Sequence, residues 1–182
     1  MEQVLGYIEQ NSHRLFKHSE NDILEAVFDN KGFFFDAQTE LIYRRIRNLP
    51  HLYVAFSTGE NGLYYVGKSF QNGGRWKRTH AYHLGTLAHH LTNNLRKDDQ
   101  NHKHWIDNWM QIESLNLGIN NHNIKLKSEV KICFIPFSFY CENECLNDIK
   151  KIRESNKFFE KKLIEYLKTL SFNLLNKQNN KI

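Results

Sequence analysis

Apolar and polar positions alternate most clearly in the middle of the chain. Leu52, Val54 and Phe56 interleave with Tyr53, Ala55 and Ser57, and Leu63 to Val66 is aromatic and β-branched, so both runs suit strands. Between them, Ser57 to Gly62 supplies the small and polar residues of a hairpin connection, with Asn61-Gly62 as its tightest turn signal. Val130 to Ile135 predicts a third strand. Elsewhere the period lengthens. Met1 to Asn30 reads as helical, with Ile23, Leu24, Val27 and Phe28 on one side of its second part. Thr39 or a neighbour caps a helix through Asn48, where Leu41, Ile42, Ile46 and Leu49 form the apolar stripe opposite Arg44, Arg45 and Arg47. Glu142 to Arg153 and Asn156 to Thr169 read as two helices broken at Ser155 or Asn156. Residues 86–123 read as a helical insert containing His104, Trp105, Trp109 and Met110.

Length limits how this pattern can fold. A chain of 182 residues, 40% hydrophobic, buries one sizeable core, so one domain over 51–182 with an N-terminal extension over 1–50 is expected. Pro50 marks the boundary. No run of 18 apolar residues occurs and no N-terminal stretch resembles a signal peptide, which predicts a soluble cytoplasmic protein away from membranes. Cys133, Cys141 and Cys145 are odd in number and form no C-x-x-C pair, so a disulfide framework is not expected, and Cys133 reads as a strand-core residue.

Charge sharpens the picture. From Asn61 through Lys97 there is no acidic residue, while Lys68, Arg75, Lys77, Arg78, Arg96 and Lys97 contribute six positive charges, joined by His80, His83, His89 and His90. The whole chain carries a formal charge of +5, so everything outside this window nets about −1. A basic block beside strand aromatics is what a phosphate-facing surface requires, because neutralising phosphates releases counterions and supplies most non-specific affinity.

The segment from Leu52 to Arg75, LYVAFSTGENGLYYVGKSFQNGGR, resembles the signature of the GIY-YIG nucleases. His51-Leu52-Tyr53 stands for the first triplet and Tyr65-Val66-Gly67 for the second. Near the C-terminus, Glu160, Leu163-Ile164 and Asn173 resemble the family's distal pattern, with Leu170-Ser171 where a proline is common before the Asn, and with Asn176 as a competitor for that role. The resemblance covers roughly residues 51–85 and 129–176. It implies an α+β fold: a small three-stranded antiparallel sheet flanked by helices, wrapped by the N-terminal helical extension and the insert.

The resemblance also implies a chemistry that these residue types support. Phosphodiester hydrolysis needs an activated water, positive charge on the developing oxygens and help for the leaving 3′ oxygen. Glu160 would hold one Mg²⁺ per active site, since that ion keeps several waters and takes few protein ligands. Tyr53 and Tyr65 would line the site, and one of them, with Lys68 near enough to lower a phenol's pKa, would activate the water. Arg75, ten residues after Tyr65, would hold the scissile phosphate through its guanidinium fork. Thr79 stands where the family often has His or Tyr; His80 is next to it, with His83 as the weaker candidate. Zinc held by His80, His83, His102 or His104 is not expected, as no cysteine pair or H-E-x-x-H accompanies them.

Without an attached zinc finger or helix-hairpin-helix, a compact chain of this kind looks most like a type II restriction endonuclease acting on double-stranded DNA as a homodimer. Arg44, Arg45, Lys77, Arg78 and Arg96 would contact DNA, with Asn93 and Asn94 as further candidates for reading bases. A structure-specific or weakly specific nuclease of repair or mobile-element origin, and a DNA-binding module without turnover, are the competing readings.

Overall fold

The alternating run His51–Ser57 forms strand β4, and it pairs along its length with strands on both sides. These assignments come from a computed structural model, which describes residues 1–15, 25–29, 32–33, 37–46, 49–59, 62–69, 110–112, 122–141 and 148–176. In chain order the elements are helix α1 (Glu2–Gln10), strands β1 (His13–Arg14), β2 (Glu25–Asp29) and β3 (Gly32–Phe33), helix α2 (Ala37–Ile46), and strands β4 and β5 (Leu63–Ser69). Strands β6 (Met110–Ile112), β7 (His122–Leu126) and β8 (Val130–Pro136), a 3-10 turn (Phe137–Phe139), helix α3 (Ile149–Thr169) and strand β9 (Asn173–Leu174) follow.

The class is α+β, as expected, but the main sheet is larger than three strands. Its order is β1-β8-β4-β5-β9, with β8, β4 and β5 antiparallel at the centre and the two-residue β9 parallel to β5 at one edge. Short edge strands of this kind leave little periodicity to read in the sequence. A second sheet, β3-β2-β7-β6, joins the N-terminal extension to the insert. Val27 and Phe28, expected in a helix, therefore lie in a strand paired with Asn123 and His122. Met110, expected in a helix of the insert, opens β6. Both corrections have one cause: short apolar runs do not distinguish strand from helix, and long-range pairing decides. Trp105 and Trp109 lie outside the described residues.

One face of the main sheet carries Leu52, Val54, Val66, Cys133 and Ile135, which pack with Ile8 of α1 and Leu163 and Leu167 of α3. Cys133 is fully buried, and burial pushes its thiol up to about 12 against the opposing pull of a hydrogen bond with Ser12. Such a thiol is a core residue. Register places His51, Tyr53 and Ala55 on the opposite face with Phe134 and Ile132, Tyr65 and Gly67. β4 is thus buried on both sides.

Helix α3 is one continuous element, not two. Asp148 caps it, its carboxylate accepting from the backbone N–H of Lys150 at 2.9 Å and Lys151 at 3.2 Å. Asn156, expected at a break, is fully buried within it and accepts a hydrogen bond from the Tyr140 hydroxyl. A polar residue mistaken for a cap is here a tertiary partner. The helix ends where Phe172 N–H bonds Leu167 O at 3.1 Å and Ser171 N–H bonds Lys168 O at 3.0 Å, a Schellman pair with Ser171 at φ 61° in the position usually given to glycine. That reversal returns the chain to β5 as β9. Thr39 likewise sits inside α2, two residues past its start, and its buried hydroxyl donates to Arg14 O of β1 instead of capping the helix. Among the described residues, no helix is long and apolar enough to cross a membrane.

Candidate active site

Antiparallel pairing brings the two signature tyrosines together. Ala55 pairs with Tyr65 and Tyr53 with Gly67, so the tyrosines are diagonal neighbours on one face, their ring centroids 6.1 Å apart and tilted by 40°. Glycine at 67 is a requirement of this packing. A Cβ there would lie only 2.6 Å from Tyr53 Cε1, and nearer still to its Cζ and hydroxyl, because the Tyr53 ring lies across the Gly67 backbone.

The phenols differ in environment. Burial raises Tyr53 well above the ordinary tyrosine value, and the nearby negative charge of Glu160 adds to the rise. Burial also raises Tyr65, with Glu160 acting in the same direction. The hydrogen bond between them pushes Tyr53 up and Tyr65 down, so of the two it is the Tyr65 phenolate that it favours, with Tyr53 then the group left to donate. Tyr53 is 3% exposed, whereas Tyr65 is partly open to solvent. Tyr65 is therefore the more accessible phenol, and its hydrogen bond with Tyr53 works against the rise that burial and Glu160 impose.

Glu160 reaches this region from α3. Its flanking Lys161 and Lys162 are exposed, and Lys161 pairs along the helix with Glu165 at 3.8 Å, as a solvated surface would. Glu160 instead shares the inward side with Asn156, Leu163 and Leu167, and its side chain is 18% exposed. Its carboxylate forms an ion pair with Lys68. Lys68 pairs in register with Leu52, on the sheet face opposite the tyrosines, so its ammonium is held by Glu160 rather than placed beside a phenol. One partly exposed carboxylate, with Lys68 on one oxygen, suits a hard cation that retains most of its water. Among the described residues, no group of three or more His, Cys, Asp or Glu side chains could hold a metal ion.

The distal asparagines separate clearly. Asn173 lies in β9 opposite Leu63, exposed, at the rim of a 340 Å³ cavity lined by Phe56, Ser57, Tyr64 and Phe172 near the hairpin end. Asn176 instead accepts from Val66 N–H at 2.9 Å through Oδ1 and donates to Val66 O at 2.7 Å through Nδ2. Its amide extends the β5–β9 pairing beyond the last strand residue and fixes the backbone beside Tyr65. No family model, curated protein or solved structure matches the chain.

Tyr53 and Tyr65 thus share one face of the β4–β5 pair, and Lys68 and Glu160 pair on the other, near enough for the Glu160 charge to act on both phenols. Arg44 and Arg45 lie exposed in the last turn of α2. Arg75, Lys77, Arg78, His80, His83, Asn93, Asn94 and Arg96 lie outside the described residues. His51, in the first triplet, has a role that its position alone did not suggest. It is fully buried, its Nδ1–H donates to Leu49 O at 2.7 Å, and it meets the Phe134 ring edge-on at 5.8 Å. Burial lowers its pKa to about 4, against the opposing effect of the Leu49 bond, so the ring is neutral at pH 7. The sequence signal for this was its place at the head of a strand buried on both faces.

Proposed function

We propose that this chain is a magnesium-dependent DNA endonuclease of the GIY-YIG type, and within that class a sequence-specific type II restriction enzyme that cuts both strands as a homodimer. The observation that carries the reading is the Tyr53–Tyr65 pair, seated over Gly67, with Glu160 close enough to influence both phenols.

In the proposed reaction Tyr65, as its phenolate, takes a proton from water while the water oxygen bonds phosphorus and the bond to the 3′ oxygen breaks, and Tyr53 donates to that phenolate. Glu160 is the protein ligand for magnesium, which when bound supplies positive charge for the phosphate and the leaving 3′ oxygen. Lys68 positions the Glu160 carboxylate. Arg75, assigned by resemblance, holds the scissile phosphate, and Arg78 and Lys77 contact the backbone beyond it.

The test is supercoiled plasmid incubated with purified chain, with and without Mg²⁺, beside Glu160→Ala and Tyr65→Phe. The expected result is discrete double-strand fragments that need magnesium and vanish in both variants, while DNA binding persists. A smear or nicks alone would favour a weakly specific or structure-specific nuclease. Binding without cutting would favour a DNA-binding module, and near-normal cutting by Glu160→Ala would remove its assignment as metal ligand.

A further inference from the structure

Helix α3 carries a second concentration of positive charge. Between Ile149 and Thr169 it has seven Lys or Arg and three Glu, and one of those acids, Glu160, is turned inward to Lys68. Its outer surface alone therefore bears seven cations against two acids.

The cations are not spread evenly round the helix. At about 100° per residue, Lys150, Lys157, Lys161 and Lys168 fall within roughly 40° of one another, and all four are exposed. Arg153 lies roughly 60° to one side of that row and Glu160 roughly 80° to the same side, next to the buried stripe. The two outward acids, Glu154 and Glu165, fall on the other flank, roughly 40° to 60° away. The row thus borders the candidate metal ligand on its acid-free side. From Lys150 to Lys168 it runs ~27 Å, comparable to the rise of roughly eight base pairs along the axis of B-DNA.

We infer that this lysine row is a docking surface for the phosphate backbone of duplex DNA, leading the strand along α3 toward Glu160. The inference deepens the nuclease reading, naming a surface that the basic window of the sequence does not contain. Charge complementarity identifies the occupant: a linear array of exposed ammonium groups fits a linear array of phosphates, and no base-reading geometry is required. Lys161 also pairs with Glu165 on the other flank at 3.8 Å, so the test rests on Lys150, Lys157 and Lys168.

The experiment measures binding of a short duplex to the full chain by fluorescence anisotropy, without magnesium, across roughly 50 to 200 mM salt. Lys150→Gln, Lys157→Gln and Lys168→Gln combined should lower the slope of log K against log salt by roughly 2 to 3 and weaken binding about tenfold or more near physiological salt. The pair Lys151→Gln and Lys162→Gln, on a different side of the helix, should leave the slope unchanged. Circular dichroism verifies that both variants are folded. An unchanged slope in the triple variant, or equal losses in triple and control variants, overturns the inference, as does wild-type binding to anionic phospholipid vesicles but not to duplex. Wild type that binds with the expected slope and cuts nothing would defeat the nuclease reading and leave the docking surface standing. Plasmid cutting together with an unaltered slope in the triple variant would do the reverse.

Discussion

Tyr53 and Gly67 face each other across β4 and β5, and the tyrosine ring occupies the space that any side chain at 67 would need. This contact joins the two halves of the signature. Gly67→Ala should displace Tyr53, break its hydrogen bond to Tyr65 and destabilise the chain by about 1–3 kcal/mol. Adding Tyr53→Ala should cost less in the Gly67→Ala chain than in the wild type, because the two substitutions disrupt one contact, and should restore none of the cleavage. Denaturant unfolding and single-turnover cleavage of the single and double variants check both halves, and a Gly67→Ala chain with unaltered stability would refute the packing argument.

The hydrogen bond between Tyr53 and Tyr65 makes a signed prediction about Tyr65. Donation stabilises the Tyr65 phenolate, so Tyr53→Phe should raise the Tyr65 pKa further above its already raised position. The alkaline rise in cleavage rate should move to higher pH by the same amount. NMR titration of isotope-labelled tyrosine reads the shift independently of activity. A shift in the acid direction would reverse the donor and acceptor.

Asn176 and Asn173 should behave differently. Asn176→Ala removes two hydrogen bonds and leaves the buried Val66 N–H and C=O without them, at a cost of about 1–3 kcal/mol. Because Val66 adjoins Tyr65, cleavage should fall too. Asn173→Ala, at an exposed position, should change stability by less than about 0.5 kcal/mol. Thermal melts of the two variants decide between them, and equal effects would undo the distinction.

His51 should contribute to acid sensitivity. Its folded pKa of about 4 lies below the ordinary 6.5, so above pH 6.5 its contribution to stability is fully present. As pH falls from 6.5 toward 4, the unfolded chain takes up a proton that the folded chain excludes. The loss reaches about 3 kcal/mol and levels off below pH 4. His51→Gln, which retains a donor for Leu49 O, should remove this part of the pH dependence. Urea midpoints at pH 7 and 4.5 test it, and an identical acid loss in the variant would place the sensitivity elsewhere.

Local chemistry alone made much of the site legible. Alternation of apolar residues with Tyr53 and Ala55, the Asn61-Gly62 turn signal and the aromatic run before Gly67 specify a hairpin, and a hairpin has few registers that bury both strands. The strand at Val130 to Ile135 was equally plain, because apart from Lys131 its six residues are apolar, and the structure buries five of the seven residues of Val130–Pro136 at the centre of the sheet. Tertiary structure decided what depends on contacts distant in sequence. Val27 and Phe28 became a strand because β7 offers them hydrogen-bond partners nearly a hundred residues away, and no local propensity encodes that. Asn156 continues a helix that its residue type would interrupt, because Tyr140 satisfies its amide in the core. Asn176 rather than Asn173 reaches the backbone beside Tyr65, since the turn at Ser171 sets where β9 meets β5. Lys68 faces Glu160 because strand parity carries it to the other side of the sheet from Tyr65. Side-chain type and period are properties of neighbouring residues; register, burial and the partner of a charge are properties of the assembled fold.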